Sequence, residues 1–424
     1  MKRSAFIRNV ITTVLILTGI TSCRQRFVES MEELKFHTHV FGLFQMTDRG
    51  FLLTTARSNI EAKCIYSCEP TSISTFRDIC LIRTDSIGNV LWEKTFHEIG
   101  DEGDFKAVIT ADNHLLIAGN VGESDFVNNG FTTHGFVAKF TLDGELLWRK
   151  TQETSRTQNF SAFSISKDGD MAKSIYKMNQ NKYTYGFAVF DKDGNKKWEN
   201  LIDSGKSNFI EAVFLNNDEL IAFRNNDTNM ANSEERLLEK FDKNGMRLWS
   251  RPLNFSVENL AKASDNGFWA LGKEGWIGRF TTNGELMWSK NLTLLKGRLI
   301  HFAPNASGKL LLEILEGGYT LASLNYVLVN DMEEVETNKI VLAKSRSLPS
   351  PAVFNTPEFA HLLPDKSVIL VELEEKNFFG KTLKENHSDY RLVLSKFNSE
   401  GGRIWTNTVG RGKKTGPMPL LDDF

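Results

Sequence analysis

A tryptophan returns four residues after a glycine six times along this chain, each time at the end of a strand-like run. The copies are Gly88–Trp92, Gly144–Trp148, Gly194–Trp198, Gly245–Trp249, Gly284–Trp288 and Gly401–Trp405. A degenerate seventh, Val327 to Glu336, holds Met332 in the glycine slot and Glu336 in the tryptophan slot. Counting it, the marks stand 56, 50, 51, 39, 48 and 69 residues apart. Self-similarity at such a period belongs to an array of supersecondary units, none of which can bury its apolar face alone.

Each unit reads as four short strands. In the second, Phe105–Thr110, His114–Gly119, Gly135–Leu142 and Leu146–Lys150 are separated by Asp112-Asn113 and by Asp143-Gly144. Asp-Gly and Asn-Gly fit hairpin turns whose central residues take positive φ. The closing turn recurs as Asp193-Gly194, Asn244-Gly245 and Asn283-Gly284. An earlier turn recurs as Asp168-Gly169, Asn266-Gly267 and Ser307-Gly308, with Asp48-Arg49-Gly50 a variant. Phe136, Ala138 and Phe140 alternate with Val137 and Lys139, the period of a pleated strand. Leu115–Ala118, Leu310–Leu312 and Val368–Val371 are instead continuously apolar and must be covered on both faces. No sustained amphipathic helix is available as cover, so sheets must pack on sheets. Seven units between residues 36 and 412 predict an all-β fold, a β-propeller of seven four-stranded blades. A solenoid would need distinct end caps, and its strands are not joined by antiparallel hairpins.

The closing segments RTDSIGNVLW, KFTLDGELLW, VFDKDGNKKW, KFDKNGMRLW, RFTTNGELMW and KFNSEGGRIW resemble the PQQ-like propeller repeat. That resemblance implies that Trp92, Trp148, Trp198, Trp249, Trp288 and Trp405 dock between neighbouring blades. A large ring with one N–H suits such a half-buried position. Trp269 and Trp276 fall outside the slot and read as strand residues of a compact fifth blade.

The chain's first residues read as an address. Lys2, Arg3 and Arg8 precede an apolar run from Val10 to Ile20, too short to span a bilayer as a helix. Leu17 to Cys23 resembles the lipobox of bacterial lipoproteins, which implies a signal peptide over 1–22 and a diacylated Cys23. Residues 23–35 then form a tether and 413–424 a flexible tail. Two acyl chains anchor a protein stably without a transmembrane helix. Arg24, Gln25 and Arg26 follow the cysteine and lack both an inner-membrane aspartate and an acidic surface signal. The expected location is the outer membrane facing the periplasm, with the cell surface as the alternative. In outline the combination resembles propeller lipoproteins of outer-membrane barrel assembly.

Net charge is −2, or −5 once Lys2, Arg3 and Arg8 are removed, which leaves no basic footprint for nucleic acid. With Cys23 acylated, Cys64, Cys68 and Cys80 leave an odd number of thiols; one disulfide is expected, with its pairing open. No catalytic, cofactor or metal set can be assembled. His37 and His39 would share one face of a strand but have no third ligand in sight. The vicinal cysteines common in quinone-dependent relatives are missing, and so are GxSxG, HExxH and P-loop patterns. Sialidase Asp boxes place the glycine three residues before the aromatic, not four. Spatial triads need no motif, so catalysis stays open. Glu372, Glu374, Glu375 and Lys376 read as a solvated loop, and Arg411–Lys414 as the start of the tail. The leading expectation is a membrane-tethered, non-catalytic scaffold for an envelope protein partner. The alternative is a receptor or enzyme holding a glycan or small molecule at the axial mouth.

Overall fold

The continuously apolar runs are the most deeply covered parts of the molecule: Leu115, Leu116, Ile117 and Val368–Val371 are each at most 1% exposed. The computed structural model describes residues 35–415 except 64–71, 97–100, 126–129, 153–162, 167, 180–181, 203–206, 227–235, 273–274, 293–297, 305–308, 319–320, 331–334, 343–352 and 379–386. Apart from Gly275, which is 3-10 helical, all regular structure among the described residues is strand.

Twenty-eight strands form seven antiparallel blades, each from four consecutive strands. Blade 1 is β1 (Lys35–Gln45), β2 (Phe51–Lys63), β3 (Ser72–Thr84) and β4 (Val90–Phe96). Blade 2 is β5 (Asp101–Ile109), β6 (His114–Asp125), β7 (Gly130–Thr141) and β8 (Leu146–Gln152). Blade 3 is β9 (Phe163–Ile165), β10 (Met171–Asn179), β11 (Lys182–Phe190) and β12 (Lys196–Ile202). Blade 4 is β13 (Ser207–Phe214), β14 (Leu220–Asn226), β15 (Arg236–Phe241) and β16 (Arg247–Leu253). Blade 5 is β17 (Val257–Lys262), β18 (Phe268–Gly272), β19 (Trp276–Phe280) and β20 (Leu286–Asn291). Blade 6 is β21 (Arg298–Pro304), β22 (Leu310–Gly318), β23 (Leu321–Val329) and β24 (Val335–Leu342). Blade 7 is β25 (Val353–Leu362), β26 (Val368–Phe378), β27 (His387–Phe397) and β28 (Arg403–Thr415).

The first strand of each blade lies toward the axis: β1 packs beside β5 and β25, β13 beside β9 and β17, and β21 beside β17 and β25. Fourth strands form the rim. The molecule is a seven-bladed β-propeller. Trp269 and Trp276 lie on β18 and β19 of blade 5, the blade with the shortest middle strands. Closure exchanges no strand. Blades 7 and 1 meet side by side, and Lys413 of β28 pairs with Lys35 of β1. Arg411–Lys414 therefore belong to β28, where Arg411 stands opposite Arg391 and Lys413 opposite Asp389. Glu372–Lys376 likewise lie in β26, not in a loop. The cause is shared: pairing with β27 extends both flanking strands past the ends of their apolar patterns.

The closing turns explain the spacing of the repeat. Each glycine N–H donates to the carbonyl three residues back, as Gly144 does to Thr141 (3.0 Å) and Gly245 to Asp242 (3.0 Å). That same residue's side chain caps the turn: Asp85 Oδ1 accepts from Asn89 N–H (2.8 Å) and Asp242 Oδ1 from Met246 N–H (2.8 Å). The sequence suggested a turn with two left-handed residues, yet only the glycines are left-handed here, with φ from +72° to +85°. The hairpin is a tighter turn finished by one left-handed glycine and a bulge. The bulge shows in the register: Lys139 faces Trp148 while Phe140 faces Leu146. In blade 6, Glu336 faces Leu328 and Val335 faces Val329 with no bulge. Glu336 thus occupies the tryptophan's register position; Met332 lies outside the described residues.

Apolar clusters fill every seam between blades. Trp92, Trp148, Trp198, Trp249, Trp288 and Trp405 each pack against the cluster joining their own blade to the next. Five of them also lie against the next blade's turn glycine. A Cβ built on Gly144 would stand 2.7 Å from the Trp92 ring, on Gly284 2.6 Å from Trp249, and on Gly88 2.6 Å from Trp405. The last of these closes the circle, helped by Asn407 Nδ2 donating to Ile87 O (2.6 Å). Truncating a half-buried tryptophan costs about 2–3 kcal/mol, somewhat below the fully buried range. Trp405→Ala is therefore expected to lower the melting temperature by several degrees and to speed amide exchange in β1 and β28 together. Loss of protection confined to β28 would contradict a closing role.

Candidate functional site

Behind each tryptophan stands a charge network that the sequence reading missed. Five residues before the closing glycine is a basic residue in five of six copies: Arg83, Lys139, Lys240, Arg279 and Lys396. Each sits opposite its blade's tryptophan across the third and fourth strands. Each reaches inward to an acid in the turn between the first and second strands. Arg83 Nη2 donates to Asp48 Oδ1 (2.6 Å), Lys139 Nζ to Asp112 Oδ2 (2.8 Å) and Lys396 Nζ to Asp365 Oδ2 (3.4 Å). Lys240 pairs with Glu219 (2.7 Å), and Arg279 pairs with Asp265. In blade 3 the slot holds Val189, and Lys197 of β12 reaches Asp170 instead. The invariant spacing was the available signal.

Where the base is arginine, the turn changes to admit it. Gly267 carries no side chain because a Cβ there would stand 2.3 Å from Arg279 Nη1 and 2.4 Å from Phe280 O. Lysine at the same slot tolerates His114 or Ser367 in that position. Arg279 is fully buried, and its guanidinium carbon lies 5.0 Å from the Trp269 ring centre.

These pairs set the acid response. The Arg83 hydrogen bond holds Asp48 below the usual carboxylate range. At Asp112 burial opposes ionisation, but hydrogen bonds from Lys139 and Thr110 outweigh it and hold the carboxyl low. The Ser367 hydroxyl and then its N–H do the same for Asp365, against burial. A carboxylate lowered on folding adds stability above its unfolded value, and that stability is lost as pH falls through the folded value. Asp112→Asn should therefore flatten the loss of melting temperature between pH 5 and pH 2.5. An unchanged acid limb would contradict this assignment.

Near the axis, Lys106 Nζ of blade 2 approaches Glu211 Oε1 of blade 4 at 3.5 Å. The pair reaches past blade 3, whose first strand has three residues. Burial raises the Glu211 carboxyl, partly offset by Lys106. Lys173 on β10 is fully buried, and burial pushes its ammonium well below the usual lysine range. At the seam between blades 6 and 7, the buried Glu313 accepts from Leu362 N–H (2.5 Å) and lies 3.2 Å from His361 Nδ1.

The thiols and histidines resolve differently from the sequence reading. Cys80 is a free thiol sealed in the core between blades 7 and 1, which takes it out of the expected disulfide. Cys23, Cys64 and Cys68 lie outside the described residues. A register shift falls between His37 and His39, so the regular alternation that would put them on one face is broken. No group of three or more metal-ligating side chains is gathered among the described residues. Burial, followed by the nearby Glu93 charge, pushes the Cys80 thiol up to about 12. The thiolate is the reactive form. Cys80 should resist iodoacetamide at pH 8 until the protein unfolds, as mapped by mass spectrometry. Labelling of the native protein would contradict its seal.

The rim is the most unusual surface. Eleven large apolar side chains are exposed among the described residues, and all lie on a fourth strand or its closing turn. Leu91, Leu147, Leu248, Met287 and Ile404 recur one residue before the tryptophan, 43–57% exposed. No helix among the described residues is long and apolar enough to cross a membrane.

No protein-family model matches the chain, and no curated protein matches it. Solved structures similar to it include BamB from Moraxella catarrhalis, at 14% identity over 72% of this chain and 88% of that one, with a TM-score of 0.35. A catalytically inactive virginiamycin B lyase from Staphylococcus aureus, with quinupristin, matches at 11% identity over 75% and 96%, with a TM-score of 0.42. The Dos1 propeller matches at 10% identity over 65% and 75%, also at 0.42. At these scores the functional reading rests on the molecule's own surfaces.

Proposed function

We propose that this propeller is a non-catalytic scaffold that binds a protein partner in the cell envelope, tethered by acyl chains on Cys23. The observation that carries the reading is the rim. Exposed apolar side chains scattered singly are ordinary, but a recurring band of them marks an interaction surface. Here eleven of them share the fourth strands and closing turns. The anchor rests on the basic, apolar and cysteine segments in order at residues 2–23. The outer membrane facing the periplasm is the proposed location.

A second reading, a glycan or small molecule held at the axial mouth, draws on the Lys106–Glu211 pair. A buried acid beside a base from a non-neighbouring blade is a feature that ligand sites share. A ligand-induced rise in melting temperature, abolished by Glu211→Gln, would support it.

The scaffold reading is tested by crosslinking the natively lipidated protein in intact cells and identifying covalent partners. A reproducible envelope protein, lost in Cys23→Ser, is the expected result. Clean isolation with no partner would contradict it.

A further inference from the structure

Six of the seven inner strands carry an irregularity in the same place. Register with the second strand slips at Val40/Gly42, Gly103/Lys106, Phe209/Glu211, Val257/Asn259, Leu299/His301 and Pro357/Phe359. The extra residues are Phe41, Phe105, Ile210, Glu258, Ile300 and Glu358, and each stands four residues before its strand ends. Blade 2 inserts Asp104 as well. β9 of blade 3, with three residues, is too short to include the position. The equal offset puts these β-bulges at one level of the propeller. A bulge breaks the alternation of side chains and re-aims one of them, and bulges gather beside functional sites.

The residues of an inner strand otherwise alternate between two seams, while the strand's free edge faces the axis. Glu258 shows the effect: it is exposed between the buried Val257 and the half-buried Asn259. Phe41 and Phe105 are half-buried and stack with ring centres 4.6 Å apart, closing the inner end of the seam between blades 1 and 2.

Charge at this level is one-sided. Within one residue of the bulges stand four acids, Asp104, Glu211, Glu258 and Glu358, against one lysine, Lys106, and one histidine, His301. Lys106 and Glu211 hold the same place, directly after the bulge, in strands two blades apart. Side chains of blades separated by a third meet across the axis, so their 3.5 Å contact marks the channel. The Glu211 side chain is nine-tenths buried. Among the described residues its carboxylate meets only Lys106 Nζ and the Ala212 N–H (3.3 Å), both through Oε1. A buried carboxylate with one long ion pair is incompletely compensated, and Oε2 is left for a second donor.

We infer that the axial channel binds an organic ammonium group, with Glu211 and Glu258, on neighbouring blades, as its carboxylates. Phe41 and Phe105 supply an apolar wall whose ring faces attract a cation. A free amine and a lysine side chain of a protein partner carry the same chemistry. This inference rests on the axial-ligand reading and names the class of ligand.

The test uses the full-length protein in titration calorimetry with cadaverine and with the peptide Gly-Gly-Lys-Gly-Gly. Pentanol, glutarate and maltose are the comparison ligands. One-site binding of cadaverine, the peptide or both is expected, about tenfold or more tighter than any comparison ligand. Cadaverine alone would make a free amine the source, and the peptide alone a partner's lysine. Glu258→Gln and Glu211→Gln should each weaken binding about tenfold, the contribution of one charge-assisted hydrogen bond. Glu258 is exposed, so its variant should keep the unliganded melting temperature and separate binding from folding. Glu285→Gln, in a closing turn, should change nothing. Binding unmoved in Glu258→Gln, or weakened equally in Glu285→Gln, would overturn the inference. Binding of glutarate or maltose that Glu211→Gln abolishes, with neither amine bound, would sink the ammonium class and leave the axial reading standing. Binding by none of these ligands would contradict both.

Discussion

The architecture depends on one contact: an indole ring laid against a left-handed glycine of the neighbouring blade. Each partner in it fulfils two conditions. The glycine supplies a φ that side-chain-bearing residues rarely adopt, and it leaves empty the volume that the ring enters. The tryptophan covers the apolar seam and lies over the turn that ends the next blade's third strand. Blade order is thereby written into the contact, because each ring finds a glycine only on the blade that follows it. Five seams use it, including the one where the ends of the propeller meet.

The exceptions show what the contact replaces. Blade 6 has neither the glycine nor the bulge, and its junction with blade 7 is made differently. Gly401 of blade 7 approaches Val341 O, and the buried Glu313 accepts hydrogen bonds across the seam. Blade 3 lacks the strand-three base and recovers the inner ion pair from Lys197 on its fourth strand. In both cases the repeat drifts while the connection between layers is kept. The Arg279–Asp265 and Arg83–Asp48 pairs tie the first turn to the third strand. Each of these pairs sets a buried base against a half-exposed acid, so it contributes less to stability than its geometry suggests: the base loses water while solvent screens the acid.

Much of this fold was legible in the residues, because a period of about fifty with a glycine and a tryptophan at fixed offset admits few architectures. The apolar runs at Leu115–Ala118 and Val368–Val371 correctly required cover on both faces. Strand ends were less legible: pairing carries β26 and β28 into charged stretches that read as loop and tail. The turn type was misjudged because Asp-Gly suits two hairpin geometries, and only hydrogen bonding separates them. The ion-pair layer went unseen although the base five residues before five of the six glycines was in plain view. Its acid lies in another turn, tens of residues away, at a distance that varies between blades. The rim was equally hidden, since exposure of Leu147 or Met287 is a property of the edge strand and not of the local pattern.

A scaffold needs a rigid frame and a surface left unfinished, and the two features here occupy the same strands. The inner half of each fourth strand's contact is spent on the seam, while the outer half faces solvent with aliphatic and basic side chains. If the girdle is what holds that surface in place, glycine and tryptophan must be energetically coupled across the seam. A double-mutant cycle on Trp92→Ala and Gly144→Ala, by equilibrium denaturation, measures that coupling directly. With Trp92 present, Gly144→Ala combines a left-handed backbone penalty of about 1–2 kcal/mol with a steric one. In the Trp92→Ala background only the backbone part remains, so a coupling of about 1 kcal/mol or more is the predicted result. The same cost in both backgrounds would contradict the account.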